Sequence, residues 1–330
     1  MSTKPRYIDD FNLRMIYINC IRRKFAHDLS EKLELTWIPA PLYVYKSSGL
    51  NDDLDGKSNK LTFIKDSKEI EVVQSLAKWK RFALKTFNLT GLYTDMNAIR
   101  IDETVDATHS MHVDQWDWEK RIDNDIYTGA PLKHPSEQII AYNNAEILLK
   151  RTVVDIFRTI KECDRYLSEI IVDRKPLLKG VNNITFITSE ELRSKYPTLT
   201  PQGRERAIAK EKSIVFISQI GKKLSDDTVH GVRAKDYDNW EFNGDIIVWN
   251  PCVYDSLELS SMGIRVDSES LIHQYGNREQ IPNTKYHRWI LNNELPKTIG
   301  GGIGQSRLFM WLLQLPDIEM VHPSLMNESN

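Results

Sequence analysis

The sequence predicts an α+β fold, an antiparallel β-sheet flanked by helices, in a single domain. Two strand-like stretches, 92–101 and 109–119, bracket a charged turn, and shorter β-rich runs recur at 214–220, 246–249 and 257–266. Long helical patterns at 8–35 and 144–171 accompany them. No repeat, low-complexity tract or linker divides the chain, and 330 residues suffice for one substantial core.

Residues 8–35 place Phe11, Met15, Ile18, Ile21, Phe25, Leu29 and Leu33 at helical spacing, and Trp37-Ile38-Pro39-Ala40-Pro41 stops that helix. Residues 48–60 are polar and turn-rich and predict an exposed loop. A short strand is expected near 61–64 and a helix from about Ser75. After the 144–171 helix, Thr188 and Glu191 form a capping box for the next one. The charged stretch 222–243 reads as an insertion or lid. Helical patterns at 268–276 and 284–294 lead to the run Gly300-Gly301-Gly302-Ile303-Gly304-Gln305-Ser306-Arg307, which enters the apolar stretch 308–313.

Hydrophobic residues make up 41% of the chain and charged residues 27%, with a formal net charge of −2. Dedicated nucleic-acid binders carry a basic excess, which this balance lacks. Cys20, Cys163 and Cys252 form no CxxC pair, so reduced thiols and a cytoplasmic location are expected. The start carries no apolar signal core, and no segment approaches a membrane span.

The glycine run is expected to be flexible and to let backbone approach a phosphate-bearing ligand. A helix start adds N–H groups, and Arg307 adds a fork of donors. It lacks both the Lys-Ser/Thr ending of a P-loop and dinucleotide-fingerprint spacing. On the 109–119 strand, Gln115, Asp117 and Glu119 share one face and Asp114, Trp116 and Trp118 the other. Such a polar row suits either a solvated edge or a ligand site. His109 and His112 face opposite ways on a strand, so their HxxH spacing does not make a metal site. Arg100 and Asp102 share a face, as a surface ion pair or as part of a site. Glu258 and Arg265 lie an odd number of residues apart, so both can line one pocket only if a bulge or strand end intervenes near Ser261–Gly263. Asp245 begins the preceding strand. With Glu258 it could form a Mg²⁺ site facing phosphates, or it could simply belong to an Asn-Gly-Asp turn.

In order, these pieces resemble the three motifs of class II aminoacyl-tRNA synthetases of the aspartyl type. Segment 8–41 is motif 1-like, 92–119 motif 2-like and 298–315 motif 3-like. Val73–Arg81, Val113–Glu119, Gly203–Lys210, Glu258–Asp267 and Thr298–Leu308 resemble the ammonia-dependent asparagine synthetase (aspartate–ammonia ligase) family more closely. That family is a class II catalytic core without tRNA-binding parts. One departure lies in motif 2, where Asp102 stands at the synthetases' glutamate position and Glu103 follows it.

The resemblance implies a class II catalytic-core-like single domain over 1–330 that converts L-aspartate, ATP and ammonia to asparagine, AMP and pyrophosphate through β-aspartyl-adenylate. It implies Arg100 at the α-phosphate and attacking carboxylate, Arg307 at the γ-phosphate, and Asp245 with Glu258 on Mg²⁺. Arg265 would take one aspartate carboxylate and Lys78 the other. Ser75 shares the Lys78 side of a helix start, while Lys80 is expected to turn away. Ser261 and Gln115 would add neutral hydrogen bonds. Asp52 would attract ammonium and accept its proton, with Gln115 orienting the nucleophile. Asp238 would close over the nucleotide. A homodimer through motif 1 is implied, with no nucleic-acid or membrane partner.

Three alternatives are weighed against this. An aspartyl- or asparaginyl-tRNA synthetase carries an anticodon-binding barrel ahead of its core, and only 38 residues precede Pro39. The glutamine-dependent asparagine synthetase needs an N-terminal cysteine nucleophile, whereas this chain begins Met1-Ser2. A non-catalytic aspartate- or AMP-binding paralogue is expected to lose Arg100, Arg307, Asp245 or Glu258, and all four are present.

Overall fold

The computed structural model describes residues 6–54, 58–122 and 135–321. Helices α1 (Arg6–Asp9) and α2 (Phe11–Leu33) lead to strands β1 (Thr36–Trp37), β2 (Tyr43–Tyr45), β3 (Thr62–Lys65) and β4 (Lys68–Val72). Then follow α3 (Ala77–Thr86), β5 (Gly91–Ile99), β6 (His112–Arg121), α4 (Pro135–Ile170), β7 (Thr185–Thr188), α5 (Ser189–Lys195) and α6 (Pro201–Lys212). The chain continues through β8 (Ile214–Ser218), β9 (Asp238–Asn250), β10 (Asp255–Arg265), α7 (Ser268–Tyr275), α8 (Lys285–Leu291), β11 (Thr298–Gly304) and α9 (Gln305–Leu312).

Eight strands form one sheet in the order β1-β5-β6-β11-β10-β9-β8-β7, antiparallel except for the outer pairs β1–β5 and β7–β8. A small sheet, β2-β4-β3, stands apart. Alternation along β6 decides which face meets the core. Trp116 and Trp118 are fully buried against α2, α4 and α9, and Trp116 stacks on Phe25 at 4.6 Å. Gln115, Asp117 and Glu119 therefore project from the other face. The solvated-edge alternative is excluded there, because Asp117 and Glu119 are buried.

Capping sets several helix ends. The Asp10 side chain accepts from the Leu13 N–H at the start of α2, and Glu34 ends it at φ 57° in the left-handed region. The helix thus stops before the prolines. The Thr188–Glu191 capping box is present at α5.

Four sequence expectations need correction. The glycine run is a central strand, β11, between β6 and β10. Its glycines are required by close approach: a Cβ on Gly300 would overlap Glu119 Oε2, and one on Gly302 would overlap Gln115 Oε1. The 48–60 stretch is not uniformly exposed, since Leu50, Asn51 and Asp52 are buried. Asn51 ties it down by donating to Val72 O (2.9 Å) and accepting from Gln74 N (2.9 Å). The 222–243 stretch is no continuous loop, because β9 begins at Asp238. Finally, β1, β2, β4 and β7 had no counterpart in the sequence reading. No helix among the described residues is long and apolar enough to cross a membrane.

Candidate active site

A cleft of about 380 Å³ opens on the polar face of the sheet. Strands β6, β10 and β11 form its floor; α3, the turn after β5 and the segment before β9 form its walls. An irregularity in β10 is present, although it flanks the expected Ser261–Gly263: pairing with β9 shifts register between Glu258 and Ser260 and again between Gly263 and Arg265. Leu257 and Leu259 before the shift, and Met262 and Ile264 after it, all pack into the core. Glu258 and Arg265 therefore both reach the cleft.

At one end, Arg265 lies in a buried carboxylate frame. Its Nε donates to Glu119 Oε1 (3.0 Å), its Nη2 to Glu119 Oε2 (2.7 Å), and its Nη1 to Asp238 Oδ1. Thr298 Oγ1 donates to Glu119 Oε1 at 2.6 Å. Burial opposes the guanidinium charge, but Glu119 and Asp238 hold its pKa well above the ordinary value. Beside it, Lys80 Nζ sits 2.6 Å from Asp117 Oδ1 and 2.7 Å from Gly301 O. Asp117 Oδ2 is buried and has no hydrogen-bond partner among the described residues. Gln115 and Ser261 line the same space.

At the other end, Arg233 Nη2 donates to Asp245 Oδ1 at 2.5 Å and its Nη1 donates to Ser261 Oγ. Burial pushes the Asp245 carboxyl up to about 7; the Arg233 charge opposes this and Glu258 adds to it. Arg307 is held by Thr108 O (3.3 Å) and Glu258 O (3.2 Å), and Arg100 by Gln74 O (3.3 Å). The first N–H groups of α9 are not all free, since Ser306 N donates to Asp114 Oδ1. The phosphate-binding potential of the motif 3-like segment thus rests on Arg307. Glu103 lines the cleft, whereas Asp102 is occupied by the Asn59 backbone (2.6 Å) and side chain (3.2 Å).

The cleft thus gathers Arg100, Gln115, Ser75, Asp238, Glu258, Ser261, Arg265 and Arg307. Lys78 is not there. Its Nζ points to Asp236 Oδ2 (2.6 Å) and lies 3.7 Å from Asp52 Oδ1. The expected roles of the two lysines are exchanged in space, because two residues on a helix turn side chains about 200° apart. Asp52 is completely buried beside Lys78 and does not line the cleft, although its neighbours Leu54 and Ser75 do. Asp245 lies at the cleft's edge, buried behind Arg233.

The sequence reading missed Lys80, Arg233, Asp117 and Glu119 as site residues. The alternation of β6 marked the two acids, and only their burial was unreadable. Arg233 had no local signal. Among the described residues, no group of three or more His, Cys, Asp or Glu side chains is arranged to hold a metal ion.

A family model described as aspartate–ammonia ligase matches residues 14–330. An aspartate–ammonia ligase from Bacillus cereus (strain AH187) is 44% identical over 319 residues, covering 94% of this chain and 91% of that protein. One from Bacillus anthracis (strain A0248) has the same identity and coverage. Among solved structures, asparaginyl-tRNA synthetase from Pyrococcus horikoshii complexed with asparaginyl-adenylate superposes with a TM-score of 0.64 at 15% identity, over 95% of this chain and 70% of that one. Aspartyl-tRNA synthetase from Entamoeba histolytica gives 0.57 at 14% identity, over 94% and 58%. At such identities these likenesses establish a shared fold alone.

Proposed function

This chain belongs to the aspartate–ammonia ligase family, and on that footing we propose how its cleft makes asparagine from aspartate, ATP and ammonia. The observation that carries the residue assignments is the pairing, in one cleft, of a buried Lys80–Asp117–Arg265 cluster with the cations Arg100 and Arg307, Arg233 lying between them on Asp238 and Asp245. The first set suits a small dicarboxylic amino acid and the second a polyphosphate.

Aspartate presents two carboxylates and one ammonium. Arg265 offers a planar fork for one carboxylate and Lys80 a point charge for the other. The unpartnered Asp117 Oδ2 suits the α-ammonium, and Ser261 and Gln115 supply neutral hydrogen bonds. The side-chain carboxylate attacks the α-phosphorus of ATP, pyrophosphate leaves, and β-aspartyl-adenylate forms. Arg100 stabilises charge on the α-phosphoryl oxygens, Arg307 holds the terminal phosphates, and Asp238, paired with Arg265, holds that guanidinium in place for aspartate. Ammonium then gives a proton to Asp52, which lies buried just behind the cleft wall and is approached past its neighbours Leu54 and Ser75, both of which line the cleft. The freed lone pair forms the C–N bond while the acyl C–O bond breaks, AMP leaves with the electron pair, and the new amide nitrogen gives up its remaining extra proton to the departing AMP phosphate or to water.

Asp245 and Glu258 fit Mg²⁺. They come from adjacent strands, Asp245 opposite Ser261 on β10 and Glu258 opposite Ile247 on β9, and two carboxylates would suffice for an ion that takes its other ligands from phosphates and water. Bound there, it would neutralise phosphate charge. We also infer one catalytic domain, a homodimer through α2, and a cytoplasmic setting in which the three free cysteines persist.

Incubation with ATP, Mg²⁺, aspartate and ammonium is expected to yield asparagine and AMP in equal amounts. ADP in place of AMP, or a requirement for tRNA, would overturn the reading.

A further inference from the structure

Beside the cleft lies a second buried charge cluster that the reaction above uses only through Asp52. Lys78 is its sole buried cation among the described residues, and two buried carboxylates compete for it. The competition is unequal. Asp236 Oδ2 stands 2.6 Å from Lys78 Nζ, whereas Asp52 Oδ1 stands 3.7 Å away. Asp53 lies farther still, at 4.0 Å, and is half exposed beside Lys60.

Asp236 is fixed from two other sides. Tyr286 Oη donates to its main-chain oxygen at 3.0 Å, and His287 Nε2 lies 3.0 Å from Oδ2. The Thr284 hydroxyl accepts the His287 backbone N–H at the start of α8 and lies 2.7 Å from His287 Nδ1. Because the Asp236 carboxylate only accepts, the His287 proton that faces it sits on Nε2. With Lys78 and His287 both on one oxygen, Asp236 holds the ammonium group of Lys78 away from Asp52. Both Asp52 oxygens are buried, and neither makes a hydrogen bond of ordinary geometry among the described residues, although the Ser75 hydroxyl lies close enough to favour the charged form. Such a carboxylate is costly to maintain, and the cluster is one cation short of neutral.

We propose that Asp236 and His287 are positioning residues for the ammonia step: they retain Lys78 and so keep Asp52 open to ammonium as the second cation of the cluster. This rests on the assignment of Asp52 to ammonium capture. Without the Asp236 charge, Lys78 closes on Asp52 and occupies the oxygens that ammonium needs. Neither positioning residue lines the cleft.

The test compares Asp236→Asn, His287→Ala, His287→Gln and Asp52→Asn in the full chain, through two readouts. Aspartate-dependent ATP–pyrophosphate exchange reports adenylation, and asparagine formation against ammonium concentration reports amidation. Asp236→Asn is expected to raise the KM for ammonium about tenfold or more while exchange stays within about twofold. His287→Ala acts in the same direction by a smaller factor, and His287→Gln, which returns an N–H donor near Asp236, recovers part of the loss. The proposal is overturned if Asp236→Asn and His287→Ala depress exchange and amidation equally, or leave the ammonium KM unchanged. Should Asp236→Asn fail to fold, the two His287 variants decide. If Asp52→Asn leaves the ammonium KM unchanged, the assignment of Asp52 itself falls. If it raises that KM while the Asp236 and His287 variants do not, only the positioning role falls.

Discussion

Asp52 is fully buried, and its nearest cation is committed to another carboxylate. Burial pushes its pKa up to about 6 against the opposing pull of Lys78. The folded value lies above the unfolded one, so between them the native state holds a proton that the unfolded chain has already lost. Stability from this group therefore falls as pH rises from about 4 to about 6, and the loss persists above that range. Asp52→Asn removes the titration. Its melting temperature is expected to exceed that of the parent at pH 7 to 8, by the equivalent of about 1–3 kcal/mol, with the difference vanishing near pH 4. Thermal denaturation of both proteins across that range measures it; a constant offset at every pH would locate the effect elsewhere. The same substitution is expected to impair amidation, so a more stable and less active enzyme is the combined signature.

Strand β11 shows what one residue type does for an element. Gly300 pairs with Glu119, and a side chain there would overlap the carboxylate that Arg265 and Thr298 share. Gly300→Ala is expected to displace Glu119, cost about 1–3 kcal/mol in chemical denaturation, and raise the KM for aspartate. An unchanged KM with lowered stability would show that Arg265 keeps its place without Glu119. This strand also marks the limit of the sequence as a guide. A glycine run reads as a loop because β-propensity is low, and what overrides it is the crowding of acids on the neighbouring strand, which only the three-dimensional register reveals. The bulge in β10 was legible, because the odd spacing of Glu258 and Arg265 demanded an irregularity. The alternation of β6 was legible for the same reason of parity. Lys80 was not, since helix rotation separated it correctly from Lys78 but could not tell which of the two faced the cleft. Arg233 reaches Asp245 from an irregular segment, where no periodicity exists to read.

At the scale of the molecule, one face of the sheet is covered by α2, α4 and α9, while the other carries α5 and α6 at its β8–β9 end and the cleft, walled by α3, over β6, β11 and β10. The outer surface is not uniformly polar near the first helix. Phe11 and Ile16 on α2, Trp37 on β1, and Leu42 and Tyr43 after it are each at least half exposed in the single chain. Large apolar groups left exposed on and near one helix are what an interface between copies would cover. The proposed homodimer through α2 therefore predicts that Ile16→Asp shifts the chain toward monomer in sedimentation velocity, with far-UV circular dichroism unchanged, because Ile16 contributes nothing to the monomer core. Ala141→Asp, buried on α4, is the contrasting case and should unfold the chain rather than dissociate it. If the parent protein sediments as a monomer at micromolar concentration, the motif 1-like helix serves packing alone. In that event the exposed apolar groups of α2 need another explanation.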